Sequence, residues 1–224
     1  MTMTGDGGGE LQRSSPLTAI VVPLRQHRRL MVRQRFEMGE LFGFETRNKY
    51  DVVSEAGAQV AFAAEQQKGF IGALFRQVLG HWRTFDIHFF TPERQPFMVA
   101  RHPFRWFFQR LEIHDAAGVF VGAIQRRFSI LTKRFDVEDA RGNVVMQVSS
   151  PFWRLWTFPF VARGAEVASV KKKWSGLLAE AFTDKDSFAV DFGDGNLGEA
   201  ERQLVLAAAI FIDLQYFERK ASNN

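Results

Sequence analysis

Three segments of this chain align with one another without a gap, and that internal repeat constrains the fold more tightly than any other feature. KYDVVSEAGAQV covers residues 49–60, RLEIHDAAGVFV residues 110–121 and RFDVEDARGNVV residues 134–145. Apolar and polar residues alternate, with Leu111 and Ile113 on one face against Glu112 and His114, and Phe135 and Val137 against Asp136 and Glu138. That is the period of a half-buried strand. A glycine then follows at the same place in each copy, Gly57, Gly118 and Gly142. Glycine reaches the left-handed conformation of a short hairpin loop without the cost of a Cβ. Each copy is therefore predicted to be a β-hairpin.

Weaker alternation at 83–90, 97–101, 155–163, 166–174 and 187–192 brings the expectation to about ten to twelve strands. The 24 phenylalanines agree, since Phe suits a pleated, half-buried surface. A meander this long must split into two packed sheets or close on itself, and closure removes the unpaired edges. The chain is thus expected to be mainly β, as a closed antiparallel barrel.

The C-terminus departs from this pattern. Residues 197–220 show no alternation and carry no Gly or Pro after Gly198, which predicts a helix. Asn196 and Glu199 have the spacing of a capping box, Glu199 and Glu201 sit in the first turn, and Arg219 and Lys220 close the last. Residues 204–212, LVLAAAIFI, are apolar all round, so the helix is expected to be buried on every side. Nine such residues between Arg202 and Asp213 fall short of the about 20 a membrane span needs. Burial inside the barrel follows, with Ala207, Ala208 and Ala209 allowing close approach of the wall and Leu204, Leu206, Ile210, Phe211 and Phe217 filling the interior.

A chain of 224 residues is short enough for one core, expected over 25–221, behind a Gly-, Ser- and Thr-rich tail at 1–24 read as disordered. That tail has neither the basic n-region nor the apolar h-region of a secretory signal, so the expected location is intracellular, cytoplasmic or peripheral to a membrane. The absence of Cys excludes disulfides, a thiolate nucleophile, zinc–thiolate sites and palmitoylation. A formal charge of +4 suits anionic partners, acidic lipid ahead of nucleic acid.

Three stretches resemble the phospholipid scramblase family. LMVRQRFEMGELFGFETRNKY at 30–50 leads into the first hairpin and the AAE of 63–65; WSGLLAEAFTDKDSF covers 174–188; IFIDLQYFE covers 210–218. The resemblance implies a tubby-like fold, a twelve-stranded barrel threaded by a hydrophobic C-terminal helix. It also implies calcium-triggered, energy-independent movement of phospholipid between leaflets, and association with membranes. The chain departs from the animal members in lacking their Cys-rich palmitoylated segment, which would lie near residues 103–108.

The family's calcium segment carries over as Asp184, Asp186 and Asp191, with Asp194 beside them. Carboxylates are the hard oxygen ligands that calcium takes. Read as a twelve-residue loop from Asp184, however, positions five, seven and nine are Phe188, Val190 and Phe192, and position twelve is Gly195. A DKDS turn feeding a strand explains the same residues, and any calcium binding is expected to be weak.

Other chemistry has little footing. Asp191-Phe192-Gly193 comes without a Gly-rich phosphate loop or an HRD segment, the five histidines show no metal-ligand spacing, and no Ser sits in a GxSxG elbow. The chain is not expected to be an enzyme. Candidate lipid-binding residues are the basic run of Arg28, Arg29, Arg33 and Arg35 and the cluster Lys171, Lys172 and Lys173, with Arg105 to Phe108 combining a cation with aromatics. Solvated strand faces guarded by cations would read the same way. The expected function is non-catalytic, bidirectional phospholipid movement or lipid binding at a membrane surface. The alternative is a soluble tubby-like module that recognises anionic headgroups, a protein or nucleic acid.

Overall fold

A computed structural model describes residues 22–35, 46–67, 84–103, 105, 108–151, 153, 157–172, 187–194 and 196–216. Twelve strands close into one antiparallel barrel: β1 (Arg29–Arg35), β2 (Thr46–Ser54), β3 (Gln59–Gln67), β4 (Phe85–Phe90), β5 (Pro96–His102), β6 (Arg110–Asp115), β7 (Phe120–Arg127), β8 (Thr132–Asp139), β9 (Val144–Pro151), β10 (Thr157–Ala162), β11 (Ala165–Lys172) and β12 (Ser187–Asp191). Each strand pairs with its neighbours in sequence, and β1 pairs with β12 to close the ring, Leu30 lying opposite Val190 and Val32 opposite Phe188. Among the described residues one α-helix, α1 (Glu199–Tyr216), comes last in chain order, after a short 3-10 turn at Leu24–Gln26 and the strands, and packs against the inner wall.

The repeated hairpins take the predicted geometry, with φ of 81°, 81° and 82° at Gly57, Gly118 and Gly142. In each, the anchoring side chain accepts an amide from across the turn: Ser54 Oγ from Ala58 N, Asp115 Oδ1 from Val119 N and Asp139 Oδ1 from Asn143 N. A fourth hairpin of the same build joins β4 to β5, with Thr91 Oγ1 accepting from Gln95 N. Its left-handed residue is Arg94, φ 64°. Arginine in the glycine position hid this copy from the sequence.

Alternation places Leu30, Val32, Val52, Phe89, Leu111, Ile113, Phe135, Val137, Val148, Phe160 and Val190 inside, where α1 meets them. Residues 204–212 of α1 are all buried, so the apolar stretch is the barrel's plug as expected. Phe211 lies among rings from β4, β5 and β8, with centroids 6.5 Å from Phe85, 5.6 Å from His102 and 6.3 Å from Phe135. The wall approaches α1 closely at Gly122, where a Cβ would fall 2.3 Å from the Glu138 carbonyl oxygen and 3.0 Å from Leu204 Cδ2. Phe217, Arg219 and Lys220 lie outside the described residues.

Two expectations change, and the basic run finds its place in the fold. The basic run at 29–35 is a strand, its Leu30 and Val32 buried, and it supplies the closure of the barrel. The core also reaches further back than a tail ending at residue 24 allows, because Val22 and Leu24 are buried in it. The helix cap is displaced by two residues: Gly198 N donates to Glu201 Oε2 at 2.7 Å, completing the return half of a capping box. Glu199 is thereby free to accept the amides of Leu24 and Arg25. Arg202 completes this clasp, donating to the carbonyls of Leu197, Leu24 and His27 with its guanidinium 4.6 Å over the Phe192 ring. Burial draws the Arg202 pKa down, Glu199 opposing and Arg25 reinforcing.

Candidate lipid-binding site

Because the strands alternate in direction, the barrel has two unlike rims. Even-to-odd connections, the tight hairpins and the 192–198 crossing into α1, form a turn rim; odd-to-even connections leave from the opposite, loop rim. The helix starts at the turn rim and runs toward the loop rim.

The candidate basic residues divide between the two. Arg28 and Arg29 lie at the turn rim, paired with acids: Arg28 with exposed Asp194 at 3.3 Å, Arg29 with Asp191 at 2.6 Å and Glu55 at 3.4 Å. Arg33, half-buried, and Arg35, exposed and paired with Asp51, lie toward the loop rim of β1. Lys171 reaches the same wall from β11, since Lys171 lies opposite Ala189 and Ala189 opposite Met31. Two strand spacings separate them, about 10 Å. Lys172 points inward opposite Phe188 and is half-buried, and Lys173 lies outside the described residues. The structure therefore gathers Arg33, Arg35 and Lys171 on one wall and does not bring Arg28 and Arg29 to them.

The calcium candidates are likewise divided. Asp184 and Asp186 lie outside the described residues. Asp191 has its carboxylate occupied: Oδ2 accepts two guanidinium bonds from Arg29 and Oδ1 accepts Gly193 N. Burial alone would raise the Asp191 pKa, but the Arg29 hydrogen bonds, the Gly193 amide and the charges of Arg29 and Arg28 together hold it below its usual value. Asp191 raises the Arg29 pKa in return. A carboxylate already bound to a guanidinium does not fit a calcium ligand set, and among the described residues no cluster of three or more acids or histidines is poised to hold a metal.

The sequence reading did not anticipate the polar chain inside the barrel near the loop rim. Gln34 Nε2 donates to Asn48 Oδ1, and Asn48 Nδ2 to Glu65 Oε2 at 2.6 Å. Nearby, the Tyr50 hydroxyl donates to Asp213 of α1 at 3.0 Å. Glu65 and Asp213 are both fully buried. Their signal was the inward register of Asn48, Tyr50 and Glu65 beside apolar inward neighbours such as Val52, Ala61 and Ala63.

Geometry alone defines a class: a β-barrel filled by its own helix, with basic residues on the outer wall and no helix, among the described residues, long and apolar enough to cross a membrane. A family model described as Scramblase matches residues 10–219, and the chain belongs to that family. It is 24% identical to a Schizosaccharomyces pombe phospholipid scramblase family protein over 91% of this chain and 63% of that one. It is 28% identical to mouse phospholipid scramblase 1 over 88% of this chain and 63% of that one, and 27% identical to bovine phospholipid scramblase 2 over 96% and 80%. The chain thus spans 63% of the length of the fission-yeast and mouse relatives.

Proposed function

We propose that this protein acts on phospholipid at a membrane surface, promoting bidirectional movement of lipid between leaflets without covalent catalysis, on a barrel of the tubby-like kind. The observation that carries this reading is the family match over residues 10–219, supported by relatives named as phospholipid scramblases. Because α1 fills the barrel, the axis offers a headgroup no path; lipid is handled from outside, where Arg33, Arg35 and Lys171 share a wall. Each cation near an anionic leaflet contributes about 1 kcal/mol of attraction.

Reconstitution in liposomes carrying a fluorescent lipid tests this. The expected result is faster loss of inner-leaflet protection than in protein-free vesicles. No acceleration, together with headgroup-selective pelleting, would instead establish a binding module, the reading favoured by a helix buried in the barrel rather than exposed to lipid. Calcium control is extended to this proposal only as weak binding centred on Asp184 and Asp186. A titration of the wild type against Asp184→Ala plus Asp186→Ala is expected to show affinity weaker than about 10⁻⁵ M, the lower end of sensor sites. Micromolar affinity lost in the double variant would overturn that expectation.

A further inference from the structure

Resting on the lipid reading above, we propose that the protein meets the bilayer end-on, through the loop rim, with the β7–β8 tip and its neighbours inserting apolar side chains among anionic headgroups. Of the large apolar side chains exposed among the described residues, five are on this rim: Phe128 and Ile130 (75% each), Leu131 (68%), Trp153 (75%) and Phe108 (47%). They come from three successive connections around the barrel, β5–β6, β7–β8 and β9–β10. Among the described residues, the large apolar side chains exposed on the turn rim are Val119 and Val144.

The tip is built to present these residues. Ser129 Oγ lies 2.6 Å from Thr132 Oγ1 and accepts Thr132 N at 3.2 Å, so the polar residue of the FSIL tip holds the loop while Phe128, Ile130 and Leu131 face out. That reverses the usual solvent-facing loop, whose polar side chains face water. Contiguous exposed apolar groups of this size mark an interaction surface. Their setting selects lipid. Residues 126–134 read RRFSILTKR, four cations and no acid, and no acid occurs in 103–109 or 152–156. Arg105, Arg127 and Arg134 are exposed there with no exposed acid among the described residues of these three connections, whereas the turn rim mixes exposed Glu55, Glu93, Glu166 and Asp194 with exposed Arg28, Arg94, Arg141 and Arg163. An arc of Trp, Phe, Ile and Leu set among Arg side chains matches the chemistry of an interfacial membrane contact.

The cysteine-free sequence makes the test direct. Ile130→Cys and Val119→Cys, each carrying an environment-sensitive fluorophore, are mixed with vesicles of phosphatidylcholine and phosphatidylserine at about 3:1, and quenching by spin-labelled acyl chains is read. The probe at 130 is expected to shift to the blue and be quenched, and the probe at 119 to stay aqueous. Phe128→Ser/Ile130→Ser/Leu131→Ser should lower partitioning onto these vesicles about tenfold or more, against less than about twofold for Val119→Ser/Val144→Ser. If the wild type binds but the probe at 130 stays aqueous, the end-on geometry is wrong and the lipid reading stands. If the wild type binds neither these nor pure phosphatidylcholine vesicles, both fail. If the triple variant only converts a dimer to a monomer, the rim is a contact between copies of this chain, and the proposal is overturned.

Discussion

Arg94 holds a left-handed backbone at φ 64° in a hairpin whose three sister turns use glycine. That conformation costs a non-glycine residue about 1–2 kcal/mol, partly offset by the about 0.4–1 kcal/mol that glycine adds to the entropy of the unfolded chain. Arg94→Gly is therefore expected to stabilise the protein by roughly 0.5 kcal/mol, readable as a higher denaturation midpoint at unchanged m-value. At Gly122 the sign reverses. A methyl there would strike the Glu138 carbonyl at 2.3 Å, and since that atom is backbone it cannot turn aside. Gly122→Ala should destabilise by about 1–3 kcal/mol, the usual cost of overpacking. Asp191 sets a pH dependence. Its pKa is lowered in the folded protein, so its contribution is complete above the unfolded carboxylate value near 4 and is lost as pH falls through the folded one. The pair is partly exposed and is worth about 1 kcal/mol or less. Asp191→Asn should cost that much at pH 7, and the gap from wild type should close below about pH 4 in denaturation measured across pH.

At the scale of elements, what the sequence disclosed was periodicity and what it concealed was register. The hairpins at 49–60, 110–121 and 134–145 and the helix were legible because alternation, turn glycines and an unbroken apolar run are local signals. The strand Arg29–Arg35 carries the same alternation in Leu30 and Val32, but four arginines in and around it read as a charged run, and only its pairing with β12 shows that it seals the barrel. The Glu199 contact to Leu24 spans 175 residues of sequence, and no local pattern could reveal it. The candidate lipid residues were found by charge, and charge does not say which rim a residue occupies; Arg29 and Arg35 begin and end one strand. The helix itself makes a firm prediction. Ala208 is buried against the wall, so Ala208→Leu should overpack the barrel and destabilise it by about 1–3 kcal/mol in thermal or denaturant unfolding. A neutral or favourable effect would mean that α1 faces lipid.

For the whole molecule, filling the barrel with its own helix confines function to the outside. The interior holds α1, the clasp of Glu199 and Arg202 at the turn rim and the Gln34–Asn48–Glu65 chain near the loop rim. Under the proposed lipid reading, the outer wall and the loop rim are what remains. The measurement that tests this account most directly is hydrogen–deuterium exchange across α1, in solution and on anionic vesicles under conditions where lipid movement is being recorded. The account predicts that residues 204–212 remain protected in both states, by barrel contacts, and that Ala208→Leu speeds their exchange in both alike. Protection of α1 on vesicles, accompanied by loss of protection in the inner positions of β7 and β8 that it had covered, would show that the helix leaves the barrel for the bilayer and would contradict it.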